Sequence, residues 1–111
     1  MNFKKTTVGG TVEILAANDF MAIPIKIAGS DVVKAGMPVT IEGVAAPAGT
    51  GAVGILLYDV DPKANPNGAA VTHGYVDWTK CKEHSGATAE AETMAGIIPA
   101  VVFRTNIGAN A

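Results

Sequence analysis

Cys81 and His84 stand three positions apart, and His73 lies eight residues before the cysteine. A thiol beside an imidazole has the types needed for a nucleophile and its base. The same three residues have the types of metal ligands, but a structural zinc site wants four, usually several of them cysteines. No third orienting residue and no oxyanion motif accompanies the pair. Cys81 therefore reads as a structural thiol. Asp59, Asp61 and Asp77 offer a second chemistry, paired carboxylates in acid–base work. Two of them flank a turn beside Pro62, where aspartate is at home for local hydrogen bonding. A third pattern, Gly49-Thr50-Gly51-Ala52-Val53-Gly54, has the letters of a dinucleotide fingerprint. That chemistry needs a strand before the glycines and a helix after them, so that the helix N-terminus meets a pyrophosphate. Here a loop precedes and a Val/Ile/Leu run follows, so the reading is turn and strand. The expectation is a chain with no catalytic residue, no cofactor and no metal.

The elements around these residues read as short strands. Valine and isoleucine number 12 and 9 against 3 leucines. β-Branched side chains are stiff at χ1 and suit a pleated surface. Nineteen alanines and 13 glycines allow thin layers and tight turns, and six aromatics give little bulk. The predicted fold class is mainly β, a small α+β domain with one short helix. At 111 residues the chain has the length of one domain. Residues 1–10, polar and ending in Gly9-Gly10, read as a flexible arm, and residues 11–111 as a single β-rich domain.

Along that domain, residues 11–17 are ambiguous and Asn18-Asp19 signals a turn. Ile23, Ile25 and Ile27 share one face of a strand, and Pro24 places it at an edge or beside a bulge. Residues 37–42 form a short strand with Val39 and Ile41 on one face. Residues 52–60 are apolar on both faces and must be covered twice, by a loop, by the helix or by a neighbouring subunit. After the turn at residues 61–68, residues 69–78 return with Val71, His73 and Tyr75 on one face and Thr72, Val76 and Trp78 on the other. The helix is expected over residues 85–96, capped by Ser85 or Thr88, with Glu90 and Glu92 in its first turn and Gly96 at its stop. Residues 97–104 return to a β pattern and residues 106–111 form a polar tail. Val53, Ile55, Leu56, Leu57, Tyr58 and Trp78 are the candidate core or subunit interface. Trp78 and Tyr75 are the aromatic anchors in question, with core favoured for Trp78.

Charge narrows the partners. Eight basic and ten acidic residues give a net charge of −2, without the basic patch that nucleic acid asks for. No apolar stretch approaches a membrane span, and no polybasic segment points to a lipid surface. With one cysteine no internal disulfide forms, which fits synthesis in a reducing cytoplasm. The N-terminus has lysines but no apolar signal region.

Several stretches taken in order carry a likeness to a known family. They are VVKAGMPV, then GTGAVGILL at residues 49–57 continuing as AVGILLYDV, then NPNGAAVTHGYVD ending near Trp78, then Met94-Ala95-Gly96-Ile97. Over residues 32–102 the chain resembles the lambda-type phage head decoration proteins and is similar to phage head-fibre proteins. The resemblance implies a β-clip-like fold with a short helix. It implies homotrimers on the outer surface of the phage head, made in the host cytoplasm, with the major capsid protein as partner. It also implies an N-terminal arm that orders against the shell, here Phe3, Lys4, Lys5, Thr6, Thr7 and Val8. A head-fibre base or adhesion platform is the alternative, and a small ligand-binding β module a more distant one.

Overall fold

The computed structural model describes residues 14–15 and 20–105. Its elements are β1 (Met21–Lys26), β2 (Pro38–Thr40), β3 (Ala52–Leu56), β4 (Asn67–Asp77), α1 (Trp78–Ser85), α2 (Ala91–Ile97) and β5 (Val101–Arg104). The chain is mainly β, as its Val/Ile excess predicts. Residues 1–13, with the expected arm, the turn at Asn18-Asp19 and the tail at residues 106–111 lie outside the described residues.

The eleven-residue β4 is the spine of a five-stranded sheet ordered β1-β4-β3-β2. These neighbours are antiparallel, and β5 joins β4 in parallel near its C-terminal end. β1 lies at an edge, where the missing N–H of Pro24 costs no ladder bond. Its alternation is as predicted: Ile25 and Ile27 are buried and Ile23 half-buried, while Ala22, Pro24 and Lys26 are exposed.

One irregularity decides which side chains face where. Met21 pairs with His73, but the next residue, Ala22, pairs with Val71. Two steps along β4 match one step along β1, so β4 bulges at Thr72 and its alternation changes phase there. Val71 is therefore separated from His73 and Tyr75, which the period-2 reading places beside it. Val71 is fully buried while the other two are exposed. One face of the sheet, above and below the bulge, carries Ile55, Val71, Val76, Val101 and Phe103. The other carries Ile23, Ile25, Leu56 and Ala70 below it, and Met21, His73, Tyr75 and Val102 above it.

Among the described residues there are two helices where one is expected. α1 starts at Trp78 because Asp77 caps it, accepting from the backbone N–H of Lys80 at 3.2 Å. It stops at Gly86, whose φ of 84° is left-handed and whose N–H reaches the Lys82 carbonyl at 3.0 Å. The β alternation running into Trp78 conceals this start. Ser85 closes α1 instead of opening a helix: its hydroxyl donates to the Cys81 carbonyl at 2.6 Å and accepts from the Ala87 N–H at 3.1 Å. α2 is consequently shorter than expected. Glu90 stands at its N-cap without a side-chain capping bond, and Gly96 lies inside it, with Ile98 at the C-cap.

Two strands are also shorter than predicted. β2 ends at Thr40, which turns the chain by accepting from the N–H groups of Gly43 (2.9 Å, carbonyl) and Val44 (3.1 Å, hydroxyl). Ile41, expected inside with Val39, is left 59% exposed while Val39 is fully buried. β3 ends at Leu56, although the Leu57 N–H still donates to the Ala69 carbonyl at 2.9 Å. Val60 then returns to bridge Val33.

A single core cluster runs from Ile14 to Phe103. Trp78 is its largest fully buried member. Its ring meets Phe103 edge-on at 5.2 Å, and its indole N–H donates to the Ala89 carbonyl at 3.0 Å, which satisfies its one polar atom.

Candidate functional site

The residues with chemical potential are taken up separately by the fold. Cys81 is fully buried in α1, packed so closely on Gly36 that a Cβ there would meet its Cα at 2.7 Å. Burial pushes its thiol up to about 12 from 9.0, with the Asp77 carboxylate adding to the effect. A thiol held protonated is a poor nucleophile and a poor ligand. His84 turns to Asp59 instead, Nε2 to Oδ1 at 2.8 Å, and the same oxygen accepts the Ala35 N–H at 2.8 Å. This carboxylate ties three segments together: the end of α1, the chain after β3 and the loop before β2. His73 lies on the surface beside Thr72, whose hydroxyl is 3.2 Å from Nδ1.

The three aspartates also have three different tasks. Asp59 makes the tie just described, Asp61 accepts from the N–H of Lys63 at 3.1 Å in its turn, and Asp77 caps α1. Among the described residues no group of three or more His, Cys, Asp or Glu side chains is placed to hold a metal. The glycine pattern forms a turn followed by β3, with positive φ at Gly49 (87°) and Gly51 (75°). No helix follows to meet a phosphate. A groove between the helices is lined by Trp78, Lys82, Glu83, Glu90 and Glu92, and Lys82 pairs with Glu90 across it at 3.7 Å.

The candidate core-or-interface residues divide. Ile55, Leu56 and Trp78 have no exposure in the single chain and belong to its core. The double cover that β3 requires thus comes from the chain itself. Leu56 and Val60 both pack against Gly68 on one side, where a Cβ would meet each of them. Ile55 and Leu56 leave no apolar surface for a subunit contact. Val53 and Leu57 are half-buried, and Tyr58 is exposed.

The surface with open apolar side chains lies elsewhere, on the part of the sheet above the bulge. Met21 is 62% exposed, Tyr75 44% and Val102 43%, and the register sets Met21 beside His73 and Tyr75 beside Val102. Phe20 and Met21 line a shallow hollow with His73 and Gly74. Asp77 and Arg104, the next register pair on this face, border the patch with one charge of each sign. Tyr75 is the member that sequence reasoning singles out. Met21 and Val102 escape it, although the alternation of Val101, Val102, Phe103 and Arg104, buried and exposed in turn, is a signal for the second.

Comparison with protein-family models, with curated proteins and with solved structures finds no match to the chain. Among the described residues no helix is long and apolar enough to cross a membrane.

Proposed function

We propose that this chain is a structural virion protein that binds the outer surface of an expanded phage capsid as a trimer and stabilises the head. Its partner is the major capsid protein, bound in part through residues 3–8. The sequence resemblance over residues 32–102 motivates the reading. The structural observation that supports it is the way the chain enters the body. Ile14 is fully buried, its carbonyl accepts the Asp77 N–H at 2.7 Å, and Leu15 bridges Val76. Ile14 and Leu15 are thereby held at the junction of β4 and α1.

A tether of this kind suits binding by strand addition. An extended segment gains main-chain hydrogen bonds on a sheet edge and places an aromatic such as Phe3 in a desolvated contact. Ordering it costs about 1–2 kcal/mol per residue, so one arm binds weakly. Three arms on one trimer bind with avidity, because the second and third contacts are intramolecular. A protein that binds only the expanded shell stabilises that state by mass action.

Co-sedimentation with expanded and unexpanded shells tests the reading. Full-length protein is expected to pellet with expanded shells. A chain lacking residues 1–8 should keep its circular dichroism spectrum and lose shell occupancy by orders of magnitude. Undiminished occupancy after truncation removes the arm from the contact, and no binding to any shell overturns the function.

A further inference from the structure

We infer that the open part of the sheet above the Thr72 bulge, centred on Met21, Tyr75 and Val102, is the surface on which copies of this chain meet one another. The inference deepens the trimeric reading and rests on it for the number of copies, not for the surface.

The first ground is the contrast within one sheet face. Below the bulge that face is apolar and buried within the single chain, with Ile25, Leu56 and Ala70 at most 4% exposed. Above it the same face is apolar and bare, with Met21, Tyr75 and Val102 all more than two-fifths exposed. A contiguous apolar patch rimmed by polar groups is the mark of an interaction surface. Its side chains are of the kinds enriched at such contacts, an aromatic and a methionine with an arginine at the rim.

The second ground identifies the occupant. A strongly acidic or basic partner calls for a rim of one sign. Here the rim holds Asp77 and Arg104 side by side, and among the described residues Arg104 has no ion-pair partner within 4.0 Å. Such a surface is complementary to itself. About a rotation axis the apolar centre meets its own copies, while Arg104 of one copy faces Asp77 of the next. The Asp77 carboxylate spends one oxygen on the Lys80 N–H and keeps the other for that contact.

Sedimentation equilibrium of the purified chain without shells tests this. Wild type should associate reversibly with concentration. Val102→Asp and Arg104→Glu, both at exposed positions, should each weaken association at least tenfold while the circular dichroism spectrum stays unchanged. Met21 should be protected from mild peroxide in associated wild type and oxidised in Val102→Asp. A wild type that stays monomeric at every concentration overturns the inference, as do variants that associate undiminished. Association that survives Val102→Asp but is lost on deleting residues 106–111 also overturns it, by assigning the contact to the tail. Shell co-sedimentation is read separately: a monomer that binds shells sinks only this inference, and an oligomer that ignores them sinks only the proposed function.

Discussion

Leu56 and Val102 sit on the same face of the same sheet, each beside β4, yet one is fully buried and the other 43% exposed. The bulge at Thr72 separates the two regions. Below it the single chain closes the face over Ile25, Leu56 and Ala70. Above it nothing among the described residues does so. The bulge also reverses which β4 residues look that way, so that Ala70 faces the closed half and His73 and Tyr75 the open one. Beyond the extra residue β4 keeps Val76 in the core on one face and shows His73 and Tyr75 on the other.

Charge insertion at the buried end should unfold the protein. Leu56→Asp places a carboxylate with no partner under Val60 and beside Ala70. Such a carboxyl is driven to take up a proton and still lacks hydrogen-bond partners, at a cost of several kcal/mol against the about 5–15 kcal/mol by which small domains are stable. The expected outcome is loss of the folded state, seen as loss of the β signal in circular dichroism and of chemical-shift dispersion. A folded Leu56→Asp protein would show that this half is no better covered than the other.

A smaller effect sharpens the picture on the helical side of the sheet, where Cys81 packs against Gly36. Its thiol titrates near 12 in the folded chain and at 9.0 when exposed. Between those values the unfolded chain has released a proton that the folded chain retains. Stability is therefore fully present below pH 9 and falls as pH rises toward 12, by at most about 1.4 kcal/mol per pH unit. The readout is the difference from Cys81→Ala, which should lack this component. Denaturant midpoints of the two proteins at pH 8, 9 and 10 measure it. Parallel midpoints would mean that α1 leaves the thiol open to solvent.

How much of this was readable from sequence depends on the range of the interaction. The inward set Ile23, Ile25 and Ile27 and the edge position of Pro24 follow from local chemistry, and both are found. The strand after the glycine turn follows too, because Gly49 and Gly51 need no distant partner to prefer positive φ. α1 had a local signal, aspartate at one end and glycine at the other, hidden by an alternating run that enters it. The bulge had none: it is a register choice between β1 and β4, and no single-strand period encodes it. Asp59 is similar, for its partners Ala35 and His84 lie 24 and 25 residues away, and no turn rule foresees them. The open patch inherits the bulge, which is why Met21 went unnoticed while Tyr75, an aromatic conspicuous in itself, did not.

The smallest expected effect tests the exposed end. Met21→Gln and Val102→Thr remove apolar surface from the open half without adding charge. In the monomer these side chains already face water, so little transfer free energy is lost, and surface changes of this kind usually fall within about 0.5 kcal/mol. Threonine keeps the β-branch that suits Val102 to β5, and glutamine keeps the length of Met21. At dilutions where only monomer is present, urea midpoints should match those of wild type within that margin. At concentrations where copies associate, the same substitutions should lower the apparent stability of the population, because loss of a partner that binds only the folded state removes its contribution by mass action. A wild-type midpoint that rises with protein concentration, against variant midpoints that do not, is the expected pair of results. A penalty well above 0.5 kcal/mol in the dilute monomer, judged against the usual range for surface sites, would mean that the chain itself packs against these two side chains and that the face is closed from end to end.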